Sequence, residues 1–486
     1  MLIARKILFY VFVILYLCAC PLILLYAFGY IFKPVERGLV KTGLISIATV
    51  PSEAAIYIEN RRYTKKTPAV IRDLIPGNYA LKLILRNHQP WARSVSIHAG
   101  KAEVLDRIIL LPNALNPVSF SSENYEELIP LSGTHYFIVA KGSNLEDYFV
   151  YDWQKSQMWP LLKPDGPPLQ NFKVLSYFTV KGSPYLFLQA ASKTEEKFLW
   201  VELKTRANQI TDITRFISER PMSVKWDPQD PHILFIFKNN RLHKLDLNAE
   251  VFYPDFALDI RGYGIYDKMV YILTSVNLFL KVDYEGKKQE LLHDDARAET
   301  PIFGKKGYFD IEPVSKSIIL FYGENGKLFA NLLPYKFVEK SVVGWAGSVF
   351  AERIAFWQKE KLGLLDFSKE KTEGDIFGKA PAFKWVFSNG GNIRQAFWVY
   401  KDSHVLFLDY AKVYLLEVRG NAIYGPRYLF EVKSKSGVFY SEESGKLYFL
   451  DASSGNLSFV EIIPEKEMFA FPFTEAAKKQ EEARKQ

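Results

Sequence analysis

The sequence predicts an all-β protein behind a single membrane helix: a small β-sandwich, then a seven- or eight-bladed β-propeller. Three observations predict it. An uncharged run of 26 residues, Ile7 to Phe32, opens the chain. Aromatics are plentiful (37 Phe, 28 Tyr, 9 Trp) while Met numbers only 5, a balance that suits strands better than helices. Beyond residue 112, apolar strands ending in an acidic or polar residue recur about every 43 residues, within the ~40–50 of propeller repeats. A length of 486 residues leads one to expect two or three folded units. At 48% hydrophobic and 24% charged, disorder is excluded.

Residues 1–42 are expected to form the anchor and a linker. As a helix rising about 1.5 Å per residue, the uncharged run exceeds the ~30 Å hydrocarbon core of a bilayer. Tyr26 and Tyr30 suit an interfacial belt, and Pro21 lies mid-span. A cleaved signal peptide is the alternative, but its apolar region is usually about 7–15 residues. Leu17-Cys18-Ala19-Cys20 also mimics a lipoprotein cleavage box, yet cutting there would leave the apolar stretch Pro21 to Phe32 attached to the lipid. An uncleaved single-pass anchor is therefore expected. Arg5 and Lys6 precede the span; Lys33, Arg37 and Lys41, offset by Glu36, follow it. The charge balance is nearly even, and the short basic N-terminus favours an inside start with the remainder extracytoplasmic. The only cysteines, Cys18 and Cys20, lie in the span, which excludes a disulfide scaffold or a Cys-rich zinc module.

The net charge of +8 is unevenly placed. Residues 1–42 carry +4 and residues 43–112 carry +5, leaving −1 for the rest. Nucleic-acid binding would concentrate charge on the main folded surface, so no nucleic-acid partner is expected. Basic groups beside a membrane point instead to anionic lipid or acidic wall polymer. Arg61, Arg62, Lys65 and Lys66 fall within six residues, with Glu59 the nearby acid. They are the candidate binding residues, expected in a turn at the tip of the small domain. A solvated hairpin with no partner is the alternative.

Residues 43–112 read as five or six short strands, including Gly43–Val50, Ala55–Glu59 and the alternating Tyr79–Arg86. Pro51-Ser52-Glu53-Ala54, Thr67-Pro68, Pro76-Gly77-Asn78-Tyr79 and Pro90-Trp91 occur in an order that resembles a PEGA domain. That resemblance implies a small surface-layer-like β-sandwich of bacterial envelopes, used for attachment or display, with no catalytic residue to carry over. Glu53 stands where the motif has Gly, Asn60 at the usual hairpin Gly, and Asn87-His88 replaces a Gly-Tyr pair. Asn tolerates positive φ, so Asn60 and Asn87 keep the turns available.

Residues 113–473 are assigned to the propeller. The recurring strands are Tyr148–Asp152, Phe198–Glu202, Arg241–Asp246, Leu278–Asp283, Lys327–Asn331, Leu362–Asp366, Val413–Glu417 and Leu447–Asp451. A second apolar strand precedes most of them, as at Ile233–Phe237 and Val270–Leu273. Trp226-Asp227-Pro228 resembles the opening of a blade in TolB-type and WD-repeat-like propellers. No amphipathic helix interrupts the region, which excludes alternating βαβ units and leaves two stacked sandwiches as the other arrangement. Residues 474–486 read as a charged solvated tail.

Catalytic signatures are missing. Seven histidines show no HxH, HExxH or HxxxH pairing, and no GxSxG, P-loop or GxGxxG occurs, so no metal or cofactor is expected. His293-Asp294-Asp295 is read as a solvated turn. Arg261-Gly-Tyr-Gly264 and Ser388-Asn-Gly-Gly-Asn392 are read as glycine turns. The expected function is a membrane-anchored, extracytoplasmic, non-enzymatic scaffold of a bacterial cell envelope, holding protein or polysaccharide ligands at the propeller face. An envelope glycan hydrolase or lyase, and an envelope assembly or secretion factor, are the alternatives.

Overall fold

In the computed structural model the N-terminal run folds as one helix, α1 (Leu2–Ala27). The structure describes residues 2–27, 29–33, 38–162, 169, 171–206, 208–297, 303–304, 307–315, 318–330, 336–348, 353–367, 382–419, 422–423 and 425–464. The expected tail, 474–486, lies outside them. Within α1, Phe9–Ala27 is long and apolar enough to cross a membrane, and none of that stretch is buried against protein. The helix stops before the apolar run does. Gly29, at φ +81°, donates its N–H to the Tyr26 carbonyl at 2.9 Å, a left-handed helix end that glycine accepts readily. Tyr30, expected in the helix, instead starts β1 (Tyr30–Lys33), which pairs antiparallel with β2 (Gly38–Lys41). Thr42 closes this ribbon on the Gly29 carbonyl, through its N–H at 2.7 Å and its hydroxyl at 2.8 Å.

The chain divides into two compact units, one built on Met1–Asn116 and the other on Pro117–Glu442 and Leu447–Val460. The first contains a sandwich of seven strands: β3 (Gly43–Val50), β4 (Ala55–Ile58), β5 (Arg61–Lys66), β6 (Ala69–Leu74), β7 (Gly77–Ile84), β8 (Trp91–Ile97) and β9 (Ala102–Ile109). One sheet runs β6-β3-β9 and the other β5-β4-β7-β8. Alternation aims Ile45, Ile47, Ile56, Leu81, Leu83, Val95 and the fully enclosed Trp91 into a shared core. Glu53, Asn60 and Asn87, the three positions where glycine was expected, all have positive φ (64°, 63° and 63°). The backbone demand survives there although the glycine does not.

The second unit is a propeller of four-stranded antiparallel blades, eight among the described residues. Blades 1 to 7 span 127–160, 173–212, 223–257, 260–294, 309–339, 344–387 and 393–431. Blade 8 combines Phe439–Tyr440, Lys446–Leu450 and Asn456–Glu461 with β10 (Val118–Asn124), so its outermost strand comes from the beginning of the unit. The strand expected at Leu447–Asp451 is thus the second strand of its blade, whereas the other seven recurring strands are third strands. Aromatic cores fill the spaces between successive blades. Examples are Phe187, Trp200 and Trp226 between blades 2 and 3, and Phe279, Phe309 and Phe321 between blades 4 and 5. Each such ring buries a large apolar area, which is why aromatics outnumber methionines here.

Two further readings change with the structure. Gly262 and Gly264 lie inside the first strand of blade 4, Ile260–Tyr266, rather than in a turn. That strand also pairs in parallel with the first strand of blade 5, Phe309–Pro313. A Cβ at Gly262 would sit 2.1 Å from the Phe309 carbonyl oxygen, and one at Gly264 2.4 Å from that of Ile311. Glycine is there for close backbone approach. The second change concerns His293-Asp294-Asp295. His293 and Asp294 end the outermost strand of blade 4, and Asp295 is fully buried, its carboxylate accepting the Phe303 N–H at 3.1 Å. Buried with a backbone partner, this acid holds a loop rather than facing water. The Ser388–Asn392 segment is a loop as expected, its Gly391 and Asn392 N–H groups donating to Asp409.

Candidate functional site

The four predicted cations lie on a strand. The turn before them is only Glu59-Asn60, both at positive φ, so Arg61 and Arg62 already belong to β5. β5 is the outer edge of its sheet, and its residues are exposed except Tyr63, which packs on the core. Register separates three of the four, and Lys65 stands exposed on the same strand. Arg61 opposes Ile58 on the core-directed side, whereas Arg62 opposes Tyr57, and Lys66 opposes Ala55, on the outer side. Tyr57 in turn opposes Lys82 of β7, so Arg62, Tyr57 and Lys82 form one row across the outer face. Lys66 reaches Glu53 at 3.1 Å in an exposed ion pair, worth about 0–1 kcal/mol. Among the described residues, Arg62 and Lys82 have no ion-pair partner. Lys82 was not anticipated, because β4 and β7 are not neighbours in sequence and their register is invisible from spacing alone.

One group of charges on the first strands of blades 3 and 5 is tied together. Lys225, in the first strand of blade 3, reaches past blade 4 to blade 5. It contacts the Asp310 carboxylate, the Glu312 carboxylate at 3.8 Å, the Ile311 carbonyl at 2.8 Å and the face of Tyr263 at 5.4 Å. Burial alone would lower the lysine pKa, but Asp310 and Glu312 outweigh it and hold the ammonium above its ordinary value. Burial raises the Glu312 carboxyl, and Lys225 opposes that rise. Among the described residues, no three His, Cys, Asp or Glu side chains converge as metal ligands.

A cleft of ≈ 570 Å³ lies against blade 3, lined by Phe216, Ile217, Lys238, Arg241, His243 and Phe252 among others. Its charged groups are paired internally. Arg241 meets Asp255 at 3.2 Å, Lys238 meets Glu219 at 3.6 Å, and the Asn239 amide donates to Glu219 at 3.0 Å. His243 Nδ1 accepts the Asp255 N–H at 3.1 Å, so the neutral ring carries its proton on Nε2. Burial, aided by Lys238, lowers its pKa and keeps it neutral. Phe252 stacks on the ring at 5.5 Å. Nothing in the sequence around His243 announced this cleft, since its walls come from the connection between two blades and from three strands.

Comparison with known proteins agrees with the sandwich. Residues 42–113 match the PEGA domain family. This chain carries a PEGA domain. The sequence matches no curated protein. Among solved structures, it is similar to the C-terminal WD40 domain of Sif2 at 9% identity and TM-score 0.46, covering 72% of this chain and 99% of that one. The Dos1 propeller aligns at 12% identity and TM-score 0.44, over 72% of this chain and 95% of that one. BamB from Moraxella catarrhalis aligns at 10% identity and TM-score 0.40, over 72% and 99%. The propeller assignment itself rests on the blade topology described above. The PEGA domain and the propeller follow an apolar helix in one chain.

Proposed function

We propose that this protein is a single-pass, membrane-anchored scaffold of a bacterial cell envelope, with its PEGA domain and propeller on the extracytoplasmic side. In this reading the propeller presents a platform for protein ligands, with polysaccharide as the alternative cargo. The observation that carries it is the order of parts: an unburied apolar helix, a PEGA domain, then a propeller. The basic N-terminus, Arg5 and Lys6, and the cysteine-free remainder support the orientation. The row Arg62–Tyr57–Lys82, with Lys66, supplies a face for anionic lipid or acidic wall polymer.

A binding role is favoured over catalysis because the carboxylate pair on the first strand of blade 5, Asp310 and Glu312, is engaged by Lys225 rather than left to act on a substrate. A glycosidase needs a carboxylic acid and a carboxylate set apart across a substrate-sized gap. The topology test is protease added to intact spheroplasts of a bacterial host expressing the full chain. Digestion beyond Lys41 is expected. Full protection of residues 43–486 in intact spheroplasts, with digestion after lysis, would overturn the extracytoplasmic reading.

A further inference from the structure

Among the described residues, the links at the two ends of the propeller differ in surface chemistry. In a four-stranded meander, the links from second to third strand and from one blade to the next emerge at one end. The links from first to second and from third to outermost strand emerge at the other. At the first end, five large apolar side chains stand in water. Met222 (53% exposed), Leu258 (53%) and Val343 (44%) lie in blade-to-blade links, while Val276 (65%) and Tyr410 (59%) lie in second-to-third-strand turns. Among the described residues, no exposed large apolar side chain lies in a link at the opposite end. Singly scattered exposed apolar groups are ordinary, whereas a contiguous patch marks an interaction site, and in the described links these five share one end.

Three of the five are neighbours. The Met222 N–H donates to the Phe237 carbonyl at 2.9 Å, beside Lys238 of the cleft. The Ile260 N–H donates to Asn240 at 2.9 Å, and the Ser275 N–H to Asp259 at 2.6 Å. These bonds place the Met222 link, the Asn239–Asn240 turn, the Leu258–Asp259 link and the Val276 turn side by side. Next to them lies the cleft, with Phe216 and Phe252 in its walls. The cleft's charges cancel in pairs, Arg241 with Asp255 and Lys238 with Glu219. A charged ligand would have to break those pairs.

We propose that this end of blades 3 and 4 is the docking surface for a protein partner, and that it takes an uncharged peptide segment. The segment lies over Met222, Leu258 and Val276 and seats one apolar side chain in the cleft beside Phe216 and Phe252. An apolar side chain seated in a cleft walled by aromatic rings leaves water, and an exposed methionine adapts to the shape it meets. The proposal rests on the scaffold reading above and names the partner class of its platform.

The test pans a phage-displayed random peptide library on the full chain in phosphatidylcholine nanodiscs, then measures the selected peptides by fluorescence anisotropy. Uncharged peptides with a shared apolar residue are expected. Their Kd should rise about tenfold or more in the triple variant Met222→Asp, Leu258→Asp, Val276→Asp, a loss of about 1.4 kcal/mol. It should stay unchanged in Asn248→Asp, at the opposite end, with thermal melts confirming that both variants fold. Selected peptides that ignore the triple variant would overturn the surface while leaving the scaffold reading standing. Failure to select any peptide would overturn both the surface and the protein-platform reading. Quenching of a Met222→Trp variant in nanodiscs of brominated lipid would reassign this end to the membrane and overturn the proposal.

Discussion

Replacing Gly262 by alanine tests whether blades 4 and 5 are locked together through their first strands. The new Cβ would stand 2.1 Å from the Phe309 carbonyl oxygen and 3.0 Å from its carbonyl carbon. Carbon–oxygen contacts between strands ordinarily lie at about 3.3–3.6 Å, so the two backbones must separate by about 1 Å. No rotamer relieves a clash with a carbonyl. Overpacking of this kind costs about 1–3 kcal/mol. The pairing of Gly262 with Phe309 and of Tyr263 with Asp310 is lost as well, and each backbone hydrogen bond contributes about 0.5–1.5 kcal/mol. Against this, alanine restricts the unfolded chain and returns about 0.4–1 kcal/mol. The net expectation is a local destabilisation of about 2–4 kcal/mol. Hydrogen exchange read by mass spectrometry on the full chain should show roughly 30- to 1000-fold faster exchange at 260–266 and 309–313, since about 1.4 kcal/mol is tenfold. Gly425→Ala, where no atom lies within 4 Å of the added carbon, is the control and should change nothing. Unchanged protection of both strands in Gly262→Ala would refute the view that these glycines exist for the parallel contact.

Other perturbations probe the remaining devices. Lys225→Met should cost about 1–2 kcal/mol, a value discounted because Asp310 and Glu312 are 43% and 45% exposed. Glu312 is already raised, so its folded form binds protons more readily than its unfolded form, and its stabilising effect at low pH is lost as pH rises through its folded pKa. Removing Lys225 raises it further, so the melting deficit should be larger near neutrality than at about pH 4, and a pH-independent deficit would contradict the pairing. Asp451 is held down to about 2 by the Ser453 hydroxyl and the Ser454 N–H. Its stabilisation is present above its unfolded value of 3.8 and is lost as pH falls through about 2, so Asp451→Asn should cost about 1 kcal/mol at neutral pH, discounted because the carboxylate is largely solvated, and the cost should shrink steadily below pH ~4. Trp91→Ala should destabilise the PEGA domain by about 3–5 kcal/mol, seen as early loss of exchange protection in β7 and β8. Changing Arg62, Lys66 and Lys82 to Ser should weaken salt-sensitive binding of the full chain to an acidic polymer by about 1 kcal/mol per cation, measured by titration calorimetry.

What the sequence made legible is what is written locally. The third strands of blades 1 to 7 are short apolar runs closed by a polar residue. Arg241–Asp246, Leu278–Asp283 and Leu362–Asp366 appear in the fold with the expected ends. Such runs sit in the middle of a sheet, packed on both faces, and composition alone marks them. First and outermost strands are harder to read. The first strand of blade 4 contains two glycines, each of whose purpose is a neighbour 47 residues further on, at Phe309 and Ile311. A turn and a close contact both call for glycine, and only the three-dimensional neighbour decides between them. Blade 8 shows the same limit from the other side. Its final third strand was misplaced because its outermost strand, β10, lies more than 300 residues away, and the eighth repeat therefore has no fourth strand after it.

The candidate sites divide along the same line. Clustering in sequence found Arg61, Arg62, Lys65 and Lys66, but a strand sends alternate residues to opposite faces. Proximity in the chain therefore split Arg61 from Arg62, whereas register brought Lys82 to Arg62 from another strand. Asn60 had been allowed its positive φ, yet the turn was expected to include the arginines. Glu59 takes the second left-handed position instead and starts β5 two residues earlier, which converts a charged tip into a charged edge. That edge has a second consequence. Exposed strand edges invite pairing with other chains, and long cations along one oppose it. Arg62 and Lys66, which lie on that edge, therefore also keep the sheet from adding a further strand, and the two roles are separable by experiment. Loss of polymer binding without aggregation in the Arg62, Lys66, Lys82 variant assigns the cations to recognition. Aggregation of that variant, with binding retained by whatever stays monomeric, assigns them to protecting the edge.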